Sequence, residues 1–535
     1  MKATTILFLA LAIASSGCGA TTRGSESNEA AVRRGPTPLE LARRAAQADP
    51  TDPVARRALL EHELLAAGGS PDEAERVLAS IPAAELDLRT AYLAGIVHEQ
   101  HGHADEAVDA FVEVLRRVVD SDDPFAPALA RSALAYLRDV ELDAERYEER
   151  VEPVVQALFD RARPFALRRG AFHWLYDRAY RRGDPERAAV LARTMGCPRR
   201  ARVAGPFGLA MIGGFDVAQP AEGSGPMGER YDHGPGRGVV ETRAIEADGC
   251  VLSLGGTARG TRGAGTRVLE SEIEVSEAGT YVLAMDSAAS VRVSLDGHEV
   301  VVLDRRRIEQ PTIVESEVTL TAGPHELELR VTSRQPDPRL AWTLGRGTLS
   351  TIPEPRTPLE HFLDIETRSL DGRSIAAREA MRRVLTEDAT SAILILAARI
   401  ASDDPFVSET QREDDERRLV RRAVERDPSA FVPARRLVSL EQNTDDRLAA
   451  RRALRERFPT ILSVELDLYD ELAEASLAGE ARESLARAQA LRPSSCAVLA
   501  ATFDDLQNRD RIADARALLP RLVACDAREE AVLAS

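Results

Sequence analysis

"HGHADEAVDAF" (His101–Phe111) decides how this chain is read. A glycine, Gly102, is followed by two acids, a small residue at Ala107, and an aromatic, Phe111, four positions later. The same order occurs 33 residues upstream in "GGSPDEAERVL" (Gly68–Leu78), where Gly69 and Ala74 take the corresponding places. A third copy, "RGDPERAAVLA" (Arg182–Ala192), supplies Gly183 and Ala188. Self-similarity at such a period marks stacked helical units rather than one closed core. The chemistry of each copy agrees. Gly102 ends one helix where a positive φ is needed. Asp105 and Glu106 complement the dipole at the start of the next. Ala107 lets the two helices approach closely.

"HEQHGH" (His98–His103) straddles the same turn, and three of the nine histidines fall in it beside Glu99. A zinc helix of the H-E-x-x-H type needs histidines at i and i+4 on one face. Here they stand at 98, 101 and 103, with Gly102 breaking the helix. A solvated turn is expected, with no metal and no cofactor.

Gly95, Gly102, Ala107 and Phe111 resemble the tetratricopeptide repeat, a 34-residue helix–turn–helix. The resemblance implies stacked pairs with a concave groove that binds peptides or proteins. It places Arg89, Tyr92, Ile96, Glu99 and Gln100 on that groove; the same residues also read as ordinary helix surface. Apolar spacing of three and four makes residues 37–197 helical throughout. Leu137–Arg161 fits the pattern poorly and reads as a degenerate pair.

The 535 residues suggest about three domains at ~150 residues each. Aromatics are only 4%, so cores must be built from Ala, Leu and Val. The net charge of -17 argues against nucleic acid or an anionic membrane face as partner. Lys2 is the one lysine, and the arginines are interleaved with a larger number of acids rather than clustered.

At the N-terminus, Lys2 precedes the apolar run "ILFLALAI" (Ile6–Ile13). That run has signal-peptide length and is too short to span a bilayer. "SSGC" ending at Cys18 resembles a bacterial lipobox, although Ser15 departs from the usual Leu. The resemblance implies a signal peptide over 1–17, lipidation of Cys18 and, with Gly19 next, sorting to the outer membrane. Residues 18–36 lack periodicity and large apolar side chains and read as a flexible tether.

At Pro198 the pattern changes to alternation with Gly and β-branched residues. "SEIEVSEAGTYVLAMD" (Ser271–Asp286), "SVRVSLDGHEVVVLD" (Ser290–Asp304) and "SEVTLTAGPHELELRVT" (Ser316–Thr332) read as antiparallel strands. Asp296-Gly297 between them is a hairpin signal. The stretch 198–350 is expected to be a β-sandwich. It resembles the protective-antigen-type, jelly-roll-like module. "AGPFG…GGFD" resembles the sandwich of large bacterial transglutaminase-like repeat proteins, whose catalytic half is absent here. Asp286 is followed by Ser287-Ala288 where the module's pattern has adjacent acids, so no calcium or sugar site is carried over. Tyr231, beside Asp232-His233 in a Gly/Pro loop, is the candidate glycan contact.

Pro-rich 351–360 links to a second helical block, 361–535. There Pro428, Pro459 and Pro493 recur at repeat-like intervals, implying three or four helix pairs. The expected fold class is multidomain α + β, with two helical-repeat blocks flanking an antiparallel sandwich.

No G-x-S-x-G, phosphate loop or C-x-x-C pair is found. Cys250 lies in an apolar strand rather than at a helix N-terminus, where a thiolate would be favoured. With Cys18 lipidated, four cysteines remain in a compartment that permits disulfides. The candidate bonds are Cys197–Cys250 and Cys496–Cys525, with four buried free thiols as the other reading. The expectation is a non-enzymatic, lipid-anchored envelope scaffold that binds envelope proteins or peptides. One alternative is carbohydrate or peptidoglycan binding through the sandwich. Another is a hydrolase or transferase related to the transglutaminase-like proteins.

Overall fold

A computed structural model of the chain describes residues 35–139, 144–162, 164–208, 211–223, 225–232, 238–255, 265–307, 309–349 and 351–525. Two helical layers and a two-sheet sandwich make up the molecule. The first layer comprises α1 (Pro38–Ala48), α2 (Pro53–Leu65), α3 (Pro71–Ala79), α4 (Leu88–His101) and α5 (Ala104–Val118). It continues with α6 (Ala126–Asp139), α7 (Ala144–Arg161), α8 (Phe165–Arg181) and α9 (Pro185–Thr194).

The repeat signature has a direct physical basis. Gly102 closes α4 in the left-handed region, φ 77°, with its amide bonded to the Glu99 carbonyl and that of His103 to His98. Ala107 is fully buried where α4 and α5 cross. A Cβ on Gly95 would come within 2.6 Å of the Phe111 ring, so the glycine and the aromatic are one packing device. In the first copy the register differs by one residue. Gly68, not Gly69, holds the positive φ, while a Cβ on Gly69 would run into the Glu63 carbonyl. The degenerate stretch, Leu137–Arg161, takes in the end of α6 and all of α7, which carries Pro153 inside.

The chain then leaves the helices and builds β1 (Arg200–Phe207), α10 (Met211–Asp216), β2 (Arg230–Asp232), β3 (Val239–Glu241), β4 (Arg243–Glu246) and β5 (Val251–Ser253). The remaining strands are β6 (Gly265–Val275), β7 (Gly279–Ser287), β8 (Ser290–Leu295), β9 (His298–Leu303), β10 (Thr312–Leu320), β11 (Gly323–Ser333) and β12 (Arg339–Arg346). One sheet has the order β4-β1-β6-β11-β8-β9, the other β10-β7-β12-β5, and β2 pairs with β3 apart. Every named pairing is antiparallel. Asp296 and Gly297, both at positive φ, form the β8–β9 turn, as an Asp-Gly hairpin requires. The "EAGT" and "AGPH" turns do something different: they carry the chain from one sheet to the other, since β6 pairs with β11, and β7 with β10 and β12. Leu283 and Met285 of one sheet share a core with Leu327, Leu329 and Val291 of the other.

The period-two alternation of β7 serves two cores at once. Tyr281, Leu283 and Met285 point into the sandwich, whereas Val282 and Ala284 belong to the helical core. On that helix-facing side, α8 crosses the sheet with residues spaced as one face of a helix requires. Phe165 lies on Gly345, and Arg169 pairs with Glu315 at 2.9 Å. Farther along, Tyr176 reaches Gly249. Cys197 and Cys250 are bonded at this junction, Cα–Cα 4.8 Å, and the Leu344 amide bonds the Met195 carbonyl at 3.1 Å.

The second layer begins inside the Pro-rich stretch. It comprises α11 (Pro358–Leu370), α12 (Ser374–Val384), α13 (Ser391–Ser402), α14 (Glu409–Arg426) and α15 (Phe431–Ser439), followed by α16 (Thr444–Arg457), α17 (Leu462–Glu474), α18 (Ala478–Leu491), α19 (Cys496–Asn508) and α20 (Ile512–Cys525). Thr357 caps α11 with a reciprocal bond to Glu360. "SETQREDDERR" is a helix start, with the Ser408 side chain accepting from Gln411. Pro428, Pro459 and Pro493 stand in the loops before α15, α17 and α19. Among the described residues this makes five helix pairs, where three or four were expected. Cys496 and Cys525 close the last pair, Cα–Cα 5.6 Å.

The two helical blocks flank the sandwich in sequence but meet in space. α11 packs on α2 and α6, and α15 on α4. One continuous core runs from Leu39 to Ala423, interrupted in sequence by the sandwich. The two blocks that flank the sandwich in sequence thus share one core, with the sandwich inserted between them along the chain.

Candidate functional site

Between the two layers lies a cavity of about 880 Å³. The volume is at the upper end of the range of ligand sites, ~300–1,000 Å³. One wall comes from the first layer: Tyr92, Ile96 and Glu99 of α4, then Phe111 and Tyr136. The opposite wall comes from Phe362 and Glu366 of α11, Arg399 of α13 and Phe431 of α15. Phe458, Thr460 and Ile461, between α16 and α17, close one end. The apolar lining is aromatic on both sides. Phe111 packs on Tyr92 at 5.8 Å and on Tyr136 at 4.6 Å, and Phe431 meets Phe458 edge-on at 5.2 Å.

Glu366 organises the floor. Its carboxylate accepts from the Tyr92 hydroxyl at 3.1 Å, from Ser132, and from Arg399 at 3.0 Å. Burial, and next the Glu366 charge, push the Tyr92 phenol well above its ordinary value. For Arg399 burial works against the charge, but Glu366 outweighs it and the guanidinium titrates above its usual range.

This arrangement corrects the open groove expected on α4. Tyr92 is 1% exposed, and Ile96 and Gln100 are buried. Arg89 is locked between Asp123, at 2.6 Å, and Glu360 of α11, at 2.9 Å. The chain's own α11 covers the positions that the repeat resemblance assigns to a ligand. What stays accessible is the cavity, which Tyr92, Ile96 and Glu99 still line. The sequence carried a signal for this: "TAYLAGIV" (Thr90–Val97) is apolar all round, and all eight residues are buried, as expected of a helix covered on every side.

The histidine turn lies at the edge of the same cavity. The His101–His103 ring centroids are 6.1 Å apart and those of His98 and His103 6.0 Å. The His101 side chain is largely buried, with Nε2 at 3.8 Å from the buried Asp427. Burial lowers the His98 pKa, with His103 adding to it. Among the described residues no group of three or more His, Cys, Asp or Glu is placed to hold a metal ion.

Tyr231 is not a free aromatic platform. It packs edge-on against Phe207 at 6.1 Å and joins a small core with Met227 and Val240, while its hydroxyl accepts from the Gly228 amide. Cys250, weighed as a nucleophile, is bonded to Cys197. Cys18 lies outside the described residues. No described helix is long and apolar enough to cross a membrane.

Comparison with known proteins adds little. No family model matches the chain, and no curated protein matches it. Among solved structures, MamA AMB-1 superposes with 18% identity over 31% of this chain and 88% of that one, TM-score 0.25. A MamA point mutant gives 19% identity, the same 31% with 89% of that chain, and TM-score 0.24. A β-glucosidase from Kluyveromyces marxianus in complex with glucose gives 10% identity, 24% of this chain and 16% of that one, TM-score 0.17. At these TM-scores the likenesses carry no functional argument. The class that the fold itself defines is a helical-hairpin repeat body with an inserted antiparallel sandwich.

Proposed function

We propose that this chain is a non-catalytic, lipid-anchored interaction scaffold of the bacterial cell envelope. On this reading Cys18 holds it to the outer membrane facing the periplasm, and the cavity between the helical layers receives a segment of an envelope partner. The observation that carries the reading is the cavity itself, walled by aromatic side chains from layers that lie ~270 residues apart in sequence. The lipobox-like "SSGC" supports the anchor. The chain's charge speaks against nucleic acid.

Two measurements test it. Cys18→Ser is expected to move the protein from membranes to the soluble periplasmic fraction; unchanged membrane binding, with no lipid mass on the wild type, removes the anchor. Crosslinked capture from envelopes is then compared between the wild type and Thr460→Trp, a substitution of an exposed residue at the cavity. A partner held by the wild type and lost in the variant supports the scaffold. Identical capture by both removes the cavity as the partner site.

A further inference from the structure

The cavity has a charge preference that pairing within its walls leaves over. Four arginines line it, Arg399, Arg435, Arg457 and Arg492, and each is engaged. Arg399 is held by Glu366, Arg435 by Asp467 at 3.0 Å, and Arg492 faces Asp105 at 3.6 Å. Arg457 donates to the Pro428 carbonyl. The acids do not balance in the same way. Glu75 and Glu106 line the cavity at exposed positions, and among the described residues neither has a hydrogen-bond or ion-pair partner. Both act electrostatically on His98, so they stand on the same side of the cavity. Glu99 adds a further carboxylate on the α4 wall.

Beneath these acids the surface is aromatic, and Tyr136 offers a hydroxyl with no hydrogen-bond partner among the described residues. Burial and then Glu99 raise the Tyr136 pKa, so the phenol stays a neutral donor. A long basic side chain matches this layout. Its methylene stem packs on aromatic rings while its charged head stays near the wet rim, and a guanidinium gains further from an aromatic face. A carboxylate or phosphate ligand would instead meet unpaired acids and arginines already engaged.

We propose that the cavity between the two helical layers selects a polypeptide segment presenting an arginine or lysine beside an apolar residue, with Glu75 and Glu106 receiving the charge. This rests on the reading of the cavity as the partner site. The test uses two synthetic probes, N-acetyl-Leu-Arg-Leu-amide and N-acetyl-Leu-Glu-Leu-amide, titrated calorimetrically into the full chain at low salt. The arginine probe is expected to bind at least about tenfold more tightly. In Glu75→Gln/Glu106→Gln that preference should collapse while the melting temperature changes little. Both side chains are exposed and unpaired, and Glu106 otherwise gives only its share of the α5 dipole interaction. Thr460→Trp should weaken the arginine probe by a similar factor. Equal or tighter binding of the glutamate probe, no binding of the arginine probe, or an undiminished preference in the double variant overturns the proposal. If capture from envelopes is still blocked by Thr460→Trp in that event, the partner site stands and the charge preference alone is lost.

Discussion

The Tyr92 hydroxyl donates to Glu366 across 3.1 Å and 274 residues of sequence. That bond joins α4 to α11 at the floor of the cavity, and Ser132 shares the same carboxylate. Removing the acceptor leaves the Tyr92 and Ser132 hydroxyls only each other as partner, at 2.7 Å, and deprives Arg399 of its counter-charge. Glu366→Ala is expected to destabilise the helical body by about 1–3 kcal/mol. Chemical denaturation should show both layers losing stability together, in one transition. Separate transitions for the two layers would contradict the shared core.

Gly102 carries two constraints at once. It caps α4 with φ 77°, and a Cβ there would approach Ile461 to 2.5 Å and Phe431 to 2.9 Å. Gly102→Ala should therefore cost about 1–3 kcal/mol, from left-handed strain and from overpacking against the second layer. Gly479, with nothing near its Cβ, is the control. Equal effects at both sites would show that the layers do not meet at this turn.

The two sulfur pairs close loops of 53 and 29 residues. In the loop-entropy account each bond contributes about 3.5–4 kcal/mol. Non-reducing peptide mapping should recover Cys197 linked to Cys250 and Cys496 linked to Cys525, and Cys496→Ser/Cys525→Ser should lower the melting temperature. Four alkylatable thiols in natively purified protein would refute both pairings.

His173 stands on α8 four residues beyond Arg169, exposed to solvent and with Arg169, Arg131 and Arg138 around it. Desolvation, and after it the charges of Arg169, Arg131 and Arg138, push its pKa down to about 3 from 6.5. The unfolded chain then binds a proton that the native state refuses. The contribution is complete above pH 6.5 and is lost as pH falls from there toward 3. His173→Asn should flatten the fall of stability in that window and leave neutral-pH stability nearly unchanged. Residual solvent access moderates the size of the effect. An unaltered slope in the variant would show that the ring is protonated in the native state.

Local chemistry carried the repeats. Gly102, Ala107 and Phe111 act within 10 residues of each other, and Asp296-Gly297 needs only its flanking strands. That Gly68 rather than Gly69 takes the positive φ, and that a Cβ on Gly69 would meet the Glu63 backbone, are features no spacing displays. The covering of the α4 face was written only as an excess of apolar residues in "TAYLAGIV". What covers it, α11, is tied by Glu360 and Glu366 to partners more than 270 residues away, and periodicity cannot report such contacts. Tyr231 was misplaced for a related reason: its loop reads as open, but Phe207 on β1 takes up the ring.

The insertion of the sandwich sets an order in time. The Leu359 amide bonds the Glu61 carboxylate, 298 residues earlier. At about 5–20 residues per second of synthesis, the first layer waits on the order of 15–60 s for the helix that covers it. Until then Tyr92, Ile96 and their neighbours face outward. The sandwich can fold in that interval because it has its own core. When it does, Met195 and Leu344 are drawn together at 3.1 Å, and a connection of about 150 residues becomes a short bridge in space. Slowing the sandwich should then leave nascent chains with an uncovered first layer, prone to capture by chaperones or to aggregation, even where the finished protein is stable.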